Sequence, residues 1–505
     1  MRAKKVIKNT IIIFGFYIVN ILVNFLARKL FLDNIGLEYL GVMGVFTNII
    51  TLLSLSDLGV ISAITYQLYK PVHDNDLSKI KYLIHKFDIY YRRIAIIILV
   101  IGVLFMIPMP YLLKDATINI FKLRIFFGLQ LLTTLSGYLF ASRKTLLFVY
   151  EQHYITVFFE TLSNFIFSIV RIFVILYTRD YLLYLTVNIL QIVASSIFIY
   201  FYSKRSFKFL NDNSIIIKEY SIPLFKDMKH MTIGSMAGFI YSSTDNLIIS
   251  AMIGINPVGL LSNYKLIPQI LFDVIINVLK PVQASIGALV HGDDAESVQL
   301  DTFKIYTFMR FLIANYICIS ILLFTDDFIS LWFGTQYRLS QITTWLIVID
   351  LFISIVQGPI VNFVMAKGYF RHDRNIMIVG AIINLTISLL LVKPLGINGV
   401  LFGTIIAQLY HWFARILMVN QELFKDLKSH IKTSIKYLIL TISLSSMILY
   451  IKQQCIPITS IYHLIAWAMF FTFIINSITL MVLSKTNEFK QSLNILHSFR
   501  ISNHA

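Results

Sequence analysis

Apolar stretches of membrane-spanning length recur along the whole chain, separated by short polar and basic segments. A helix needs about 20 apolar residues to cross the hydrocarbon of a bilayer. By that criterion the spans fall at roughly 10–32, 38–66, 88–112, 118–142, 150–177, 180–203, 228–252, 258–288, 303–325, 340–366, 373–393, 396–420, 432–452 and 459–484, about fourteen in all. The pattern predicts an all-α, polytopic membrane protein.

Polar residues inside these spans are patterned. In the eighth span Lys265, Gln269, Asp273, Asn277, Lys280 and Gln283 recur every three to four residues, which puts them on one face. Such a stripe reads as the wall of a water-filled cavity or as a set of interhelical hydrogen bonds. The first span repeats the idea with Tyr17, Asn20, Asn24 and Arg28. Arg28 lies near the outer end, where it faces a cavity or snorkels to the headgroups. Asp245 and Lys265 each lie about seven residues into the seventh and eighth spans from the same side, roughly 10 Å deep at a 1.5 Å rise. They are expected to form an ion pair, either static or opening during transport. Asp57 lies toward the inner end of the second span, with its counterpart near Asp273. A carboxylate there binds a coupling proton or cation, or it fixes the helix by capping or by pairing with a lysine. Arg171, Glu160, Asp350 and Arg310 also lie in or near spans, and the sequence assigns them no role.

An internal repeat divides the chain. Ile35-Gly36 precedes Leu40-Gly41-Val42, and Ile253-Gly254 precedes Val258-Gly259-Leu260 at the same spacing. A weaker match sets Asn164 against Asn384. Two parallel six-helix repeats are a common transporter layout. The halves are then 1–203 (helices 1–6) and 228–422 (helices 7–12), joined by a basic connector at 204–227. Residues 423–505 hold two appended helices and a tail. Pro108, Pro110, Pro257, Pro268, Pro281 and Gly358-Pro359 mark places where spans end, kink or bend.

Composition agrees. Of 505 residues, 57% are hydrophobic and 14% charged, where a soluble domain has about a quarter charged. The net charge of +17 has no basic, aromatic surface outside the spans to serve, so nucleic acid is not the partner. Most Lys and Arg fall in loops on one side, which predicts that both termini are cytoplasmic. The acidic stretch His291–Glu296 departs from the pattern, but acidic residues weigh little in that rule. The N-terminal Arg2, Lys4, Lys5 and Lys8 precede a long apolar run without a small-residue cleavage site, so this run reads as a retained first helix. Cys318 and Cys455 read as unpaired thiols. There is no phosphate-binding Gly-rich loop and no metal-ligand spacing among the 11 histidines. No cofactor is expected. Asp33, Glu38 and Asp326-Asp327, on short outward loops, are what a membrane enzyme of glycan assembly would have to use.

The stretch Gly36, Glu38-Tyr39-Leu40-Gly41-Val42, Gly44, Phe46, Leu53-Ser54-Leu55-Ser56-Asp57-Leu58-Gly59, Ala63-Ile64, Tyr66 and Leu68-Tyr69-Lys70-Pro71 resembles the oligosaccharide-repeat flippases (Wzx type). These are polysaccharide transporters of the multidrug/oligosaccharidyl-lipid/polysaccharide superfamily. Thr244-Asp245-Asn246-Leu247-Ile248-Ile249, Gly254, Val258-Gly259, Tyr264-Lys265 and Leu395-Gly396-Ile397-Asn398-Gly399-Val400 carry the likeness further, and it loosens after about residue 425. The resemblance implies two six-helix lobes in a V around a cationic central cavity. It implies alternating access without ATP hydrolysis in the bacterial cytoplasmic (inner) membrane. The cargo would be a polyprenyl (pyro)phosphate-linked oligosaccharide for capsule, exopolysaccharide or O-antigen-type assembly. Membrane lipids, a polysaccharide polymerase and chain-length machinery would be the partners. Lipid II flippases, with two extra helices, suggest a lipid-tail groove at 432–484. Many relatives carry glutamate where this chain has Asp57. Ion-coupled multidrug or small-molecule antiporters are the near alternative.

On physical grounds Lys265, Lys280 and Arg28 suit phosphates. Asn24, Gln269 and Asn277 suit sugar hydroxyls, and Tyr17 and Tyr264 suit sugar faces. Asp57, Asp245 and Asp273 are the candidates for coupling or gating.

Overall fold

The computed structural model describes residues 2–54, 65, 67–113, 115–138, 140–211, 238, 241, 243–291, 296–420, 427–454 and 458–491. Asp57, the connector from residue 212 onward, the acidic loop 292–295, Cys455 and the tail from 492 lie outside them, as do the side chains of Tyr17 and Lys280. Among the described residues every regular element is helical.

The helices are α1 (Arg2–Asn34), α2 (Leu37–Leu53), α3 (Leu77–Phe105), α4 (Ile120–Tyr138), α5 (Ala141–Val149), α6 (His153–Thr178), α7 (Tyr181–Ser206), α8 (Ile255–His291), α9 (Glu296–Trp332), α10 (Gln341–Val356), α11 (Gly358–Ala366), α12 (Phe370–Leu395), α13 (Ile397–Val419), α14 (Leu427–Gln453) and α15 (Ile461–Leu483). Nine described helical segments are long and apolar enough to cross a membrane, with α10 and α11 together counting as one, or ten if the bent pair α4–α5 is one span. The sequence marks about fourteen stretches of spanning length. The second and seventh of these are only partly described, and α3 holds Asp88, Arg92 and Arg93, which shorten its apolar run. The chain is a multi-pass membrane protein. Its exposed surface says the same: Ile96, Val100 and Leu104 on α3 are all more than half exposed. An aqueous protein would not leave such a face bare, whereas lipid covers it without cost.

Side-chain caps start several helices. Asp76 accepts from the Lys79 amide (3.0 Å), and Asp180 from the Leu182 amide (2.7 Å). Ser340 and Ser460 do the same for α10 and α15. Each satisfies an otherwise orphaned first-turn N–H. Pro108 and Pro110 follow the end of α3, and Gln357 alone lies between α10 and α11, whose first turn Gly358-Pro359 opens, where the proline removes a ladder donor. Helix α8 runs unbroken through Pro268 and Pro281.

Two compact units divide the chain, Met1–Gly259 and Leu260–Ala505, so the boundary falls inside α8. In the first unit α1 packs on α6, α6 on α7, α7 on α4, and α4 on α3. The glycine repeat becomes geometry here. The amides of Ile35 and Gly36 both donate to the Phe31 carbonyl, and those of Ile253 and Gly254 both donate to that of Ile249. Gly36 (φ 108°) and Gly254 (φ 140°) each take a backbone that side chains disfavour, then a helix begins. The two new helices cross reciprocally. A Cβ on Gly41 would lie 2.2 Å from the Ile255 carbonyl oxygen, and one on Gly259 would lie 2.8 Å from that of Leu37. Each glycine thus lets its helix rest on the other's first turn.

In the second unit α9 is central, with 61% of its apolar window buried, against 17% for α15. It packs on α10, α11, α14 and α15. The two appended helices lie against it through Ile319, Leu323, Leu444, Ile448, Phe471 and Ile475. Phe311 stacks on Tyr437 at 4.0 Å, and Lys452 pairs with Asp327 at 2.5 Å and reaches the Leu323 carbonyl. Helices α12 and α13 form the tightest hairpin, where Gly399 and Gly403 face the backbone around Leu391 and Ser388. Cys318 is buried, its thiol 3.7 Å from the Val348 carbonyl.

Candidate functional site

The first unit holds a polar network at the α1–α6–α7 junction. Arg171 on α6 donates to Asn188 Oδ1 (2.6 Å), Asn164 Oδ1 (3.0 Å) and Ser168 Oγ (2.5 Å). Ser168 donates onward to Asn24 Oδ1 on α1 and is also 3.3 Å from Asn164 Oδ1. One turn along α1, Asn20 donates to the Thr161 carbonyl at 3.0 Å. The Tyr184 ring lies 5.9 Å from the Arg171 guanidinium, and its hydroxyl is within electrostatic reach of both Arg171 and Arg28. Helical spacing puts Arg28 one turn from Asn24 on the same face.

The electrostatics of this cluster are one-sided. Every hydrogen-bond partner of Arg171 among the described residues is a neutral oxygen. A guanidinium in a lipid-surrounded helix bundle is ordinarily offset by a carboxylate. Here side-chain dipoles hold it in place and leave its charge standing. Sequence reasoning left Arg171 without a role, yet the repeat held a signal. The Asn164/Asn384 match extends one turn to Ser168 and Ser388, and three positions further it sets Arg171 against Leu391. In the second unit the matched asparagine is fully buried and donates to Thr404 Oγ1 at 3.1 Å, with no cation in the motif.

The second unit has a separate polar network. Arg415 on α13 makes a two-pronged contact with Asp373 on α12 (2.7 and 3.4 Å), and both side chains are 8% exposed. The chain of bonds continues from Arg415 to Gln357 (3.1 Å), from Gln357 to Gln408 (2.7 Å), and from Gln408 to Ser354 (2.8 Å) and Asp350 (3.4 Å). The His411 ring presses on Gly380, where a Cβ would lie 1.8 Å from Nε2. The Arg415 cation is matched by the Asp373 carboxylate, which makes this network a structural brace rather than an anion site.

The α8 stripe runs along one helix face as expected from its spacing. Gln269 donates to Asp273 at 3.2 Å, Asn277 is exposed, and Lys265 and Asp273 are half-buried. Asp245 is 3% exposed in the first unit, and Lys265 belongs to the second. Tyr264 differs from its expected role as a sugar platform. It is 1% exposed, accepts from the Leu339 amide and donates to Asp326, each at 3.0 Å.

The acids expected on outward loops lie in helices instead, Glu38 in the first turn of α2 and Asp326-Asp327 near the end of α9, and they are used as structure. Glu38 accepts from the Thr117 amide (2.5 Å), the Thr117 hydroxyl (2.6 Å) and the Ile118 amide (3.2 Å). Asp326 also accepts from Thr344, and Asp327 holds Lys452. Carboxylates so engaged are poorly placed to act as acid, base or nucleophile on a substrate. Lys144 pairs with Glu160 at 2.7 Å. Among the described residues there is no cluster of His, Cys, Asp and Glu that could hold a metal.

No protein-family model and no curated protein matches the chain by sequence. Solved structures match its fold. The lipid II flippase MurJ, in an inward closed conformation, superposes with a TM-score of 0.66 at 13% identity, over 94% of this chain and 100% of the flippase. An inward-facing multidrug resistance MATE family transporter of the MOP superfamily gives 0.60 at 13% identity, over 81% and 96%. A variant of the Vibrio cholerae MATE transporter VcmN gives 0.57 at 14% identity, over 83% and 98%. The chain has the fold that these transporters share.

Proposed function

We propose that the protein is a flippase for a polyprenyl (pyro)phosphate-linked oligosaccharide repeat unit, moving it from the cytoplasmic to the outer leaflet by alternating access without ATP hydrolysis. The product would feed capsule, exopolysaccharide or O-antigen-type assembly. One observation carries this reading. Arg171 is met only by neutral oxygens among the described residues, in a network that includes Asn24 and lies one turn from Arg28. A positive charge left standing in a membrane protein is complementary to an anionic cargo, and guanidinium groups suit phosphate oxygens.

The larger share of this chain covered by the lipid II flippase, 94% against 81% for the MATE transporter, supports the reading. It is what counterparts to the two appended helices would produce. In this scheme the halves 1–203 and 228–422 alternate about the connector 204–227. Residues 432–484 would guide the lipid tail. Arg28, Lys265 and Lys280 share the phosphates with Arg171, and Asn24, Gln269 and Asn277 take sugar hydroxyls. Asp245 with Lys265, Asp273 and Asp57 couple or gate the cycle. Both termini face the cytoplasm, and a polymerase receives the cargo outside.

A buried carboxylate, Asp245 at 3% exposure, favours a second reading, an ion-coupled multidrug or small-molecule antiporter. Deleting the gene separates the two. The flippase reading expects loss of surface polymer, accumulation of lipid-linked repeat units inside and unaltered drug efflux. Drug sensitivity with intact polymer would reverse the choice.

A further inference from the structure

Arg310 lies near the middle of α9, about 21 Å along the helix from Glu296 at 1.5 Å per residue. It is 3% exposed. Its Nε donates to the Tyr306 hydroxyl at 3.2 Å, and its guanidinium lies 5.5 Å from the centre of the same ring. Its Nη1 is buried and has no hydrogen-bond partner among the described residues. No ion pair to a carboxylate accompanies it there. A charge so enclosed, with an N–H left over, is costly in a membrane interior.

The neighbours deepen the surplus of donors. Asn362 Nδ2 also donates to the Tyr306 hydroxyl, at 3.0 Å. That oxygen has two lone pairs, and both are now taken. Its proton therefore has to find an acceptor of its own, as Nη1 does. Tyr306 itself sits in a buried apolar cluster. Phe303, Tyr306, Ile360, Phe363 and Val364 belong to one buried cluster, with Phe303 edge-on to Phe363 at 5.4 Å. On the far side the guanidinium presses on the backbone, where a Cβ on Gly358 would lie 2.5 Å from Nη2. A water molecule could accept one of these bonds, but it would leave the charge unanswered. A lipid headgroup is too large for an enclosure with so little exposure.

We infer that Arg310, Tyr306 and Asn362 form a buried site in the second unit for a small inorganic anion, chloride in size and charge. The anion accepts from Arg310 Nη1 and Tyr306 O–H and neutralises the guanidinium. It acts as a structural ion beside the α10–α11 junction at Gln357-Gly358, independently of what the protein transports.

The test uses the purified full-length chain in detergent, with chloride exchanged for gluconate. The melting temperature should rise saturably as chloride or bromide is restored, and that dependence should vanish in Arg310→Met. Should Arg310→Met fail to fold, Tyr306→Phe keeps the ring and removes one donor. It should then need a higher chloride concentration for the same rise. Crystals grown in bromide should show an anomalous peak within hydrogen-bond distance of Arg310. A melting temperature indifferent to halide, an undiminished dependence in these variants, or a peak that appears only elsewhere overturns the proposal. Inorganic phosphate that stabilises the protein while chloride does not also overturns it, making the site one for an oxyanion.

Discussion

Replacing Arg171 with methionine is expected to slow transport of the lipid-linked cargo by about one to two orders of magnitude while the chain remains in the membrane. The change keeps most of the side-chain volume and removes the charge. If the guanidinium gives the phosphate one charge-assisted hydrogen bond, its loss costs about 1.5–3 kcal/mol. At about 1.4 kcal/mol per factor of ten, the rate per folded molecule falls roughly tenfold to a hundredfold. Arg171→Lys should fall between, because it keeps the charge and loses the planar fork. Export of the polymer, normalised to protein in the membrane, measures both. A purely structural Arg171 would behave otherwise. Both variants would lower the melting temperature, and transport per folded molecule would hold.

The second large effect concerns stability. Asp373→Asn leaves the Arg415 guanidinium buried at 8% exposure without its carboxylate. Breaking a buried ion pair from one side costs about 3–5 kcal/mol. Removing both charges together, with Asp373→Leu and Arg415→Met, should recover most of that loss, since an apolar pair fills similar space and strands no charge. Thermal unfolding in detergent checks this, with the single variant well below the parent and the double variant near it. Gln357 receives one Arg415 N–H at 3.1 Å and would lose that donor in the double variant, so recovery should stop short of complete.

The two effects fall on networks of different legibility. Apolar length and charge placement are local properties, so the helical, multi-pass architecture can be read along the chain. The repeat was legible too, because Gly36, Gly41, Gly254 and Gly259 are needed by backbone conformation and close approach. Nothing local announces that Ser168 meets Asn24, 144 positions away. Periodicity tells which face of α6 is polar and is silent about the helix that faces it. For this reason Arg171 stayed without a role, and Arg310 likewise. The acids Glu38, Asp326 and Asp327 show the converse. Read as a loop residue each resembles a free functional carboxylate, and only the fold reveals that amides, hydroxyls and Lys452 already occupy them. The stripe on α8 needed one helix alone, so its register follows directly from the spacing.

The most direct test places the purified protein in vesicles with a polyprenyl diphosphate-linked oligosaccharide in both leaflets. A membrane-impermeant enzyme added outside then cleaves whatever sugar it can reach. The flippase account predicts that the protein exposes the inner-leaflet half, that Arg171→Met slows this exposure, and that no ATP is required. Persistent protection of the inner half, in vesicles where the same protein drives a cationic dye across against a proton or sodium gradient, would contradict it.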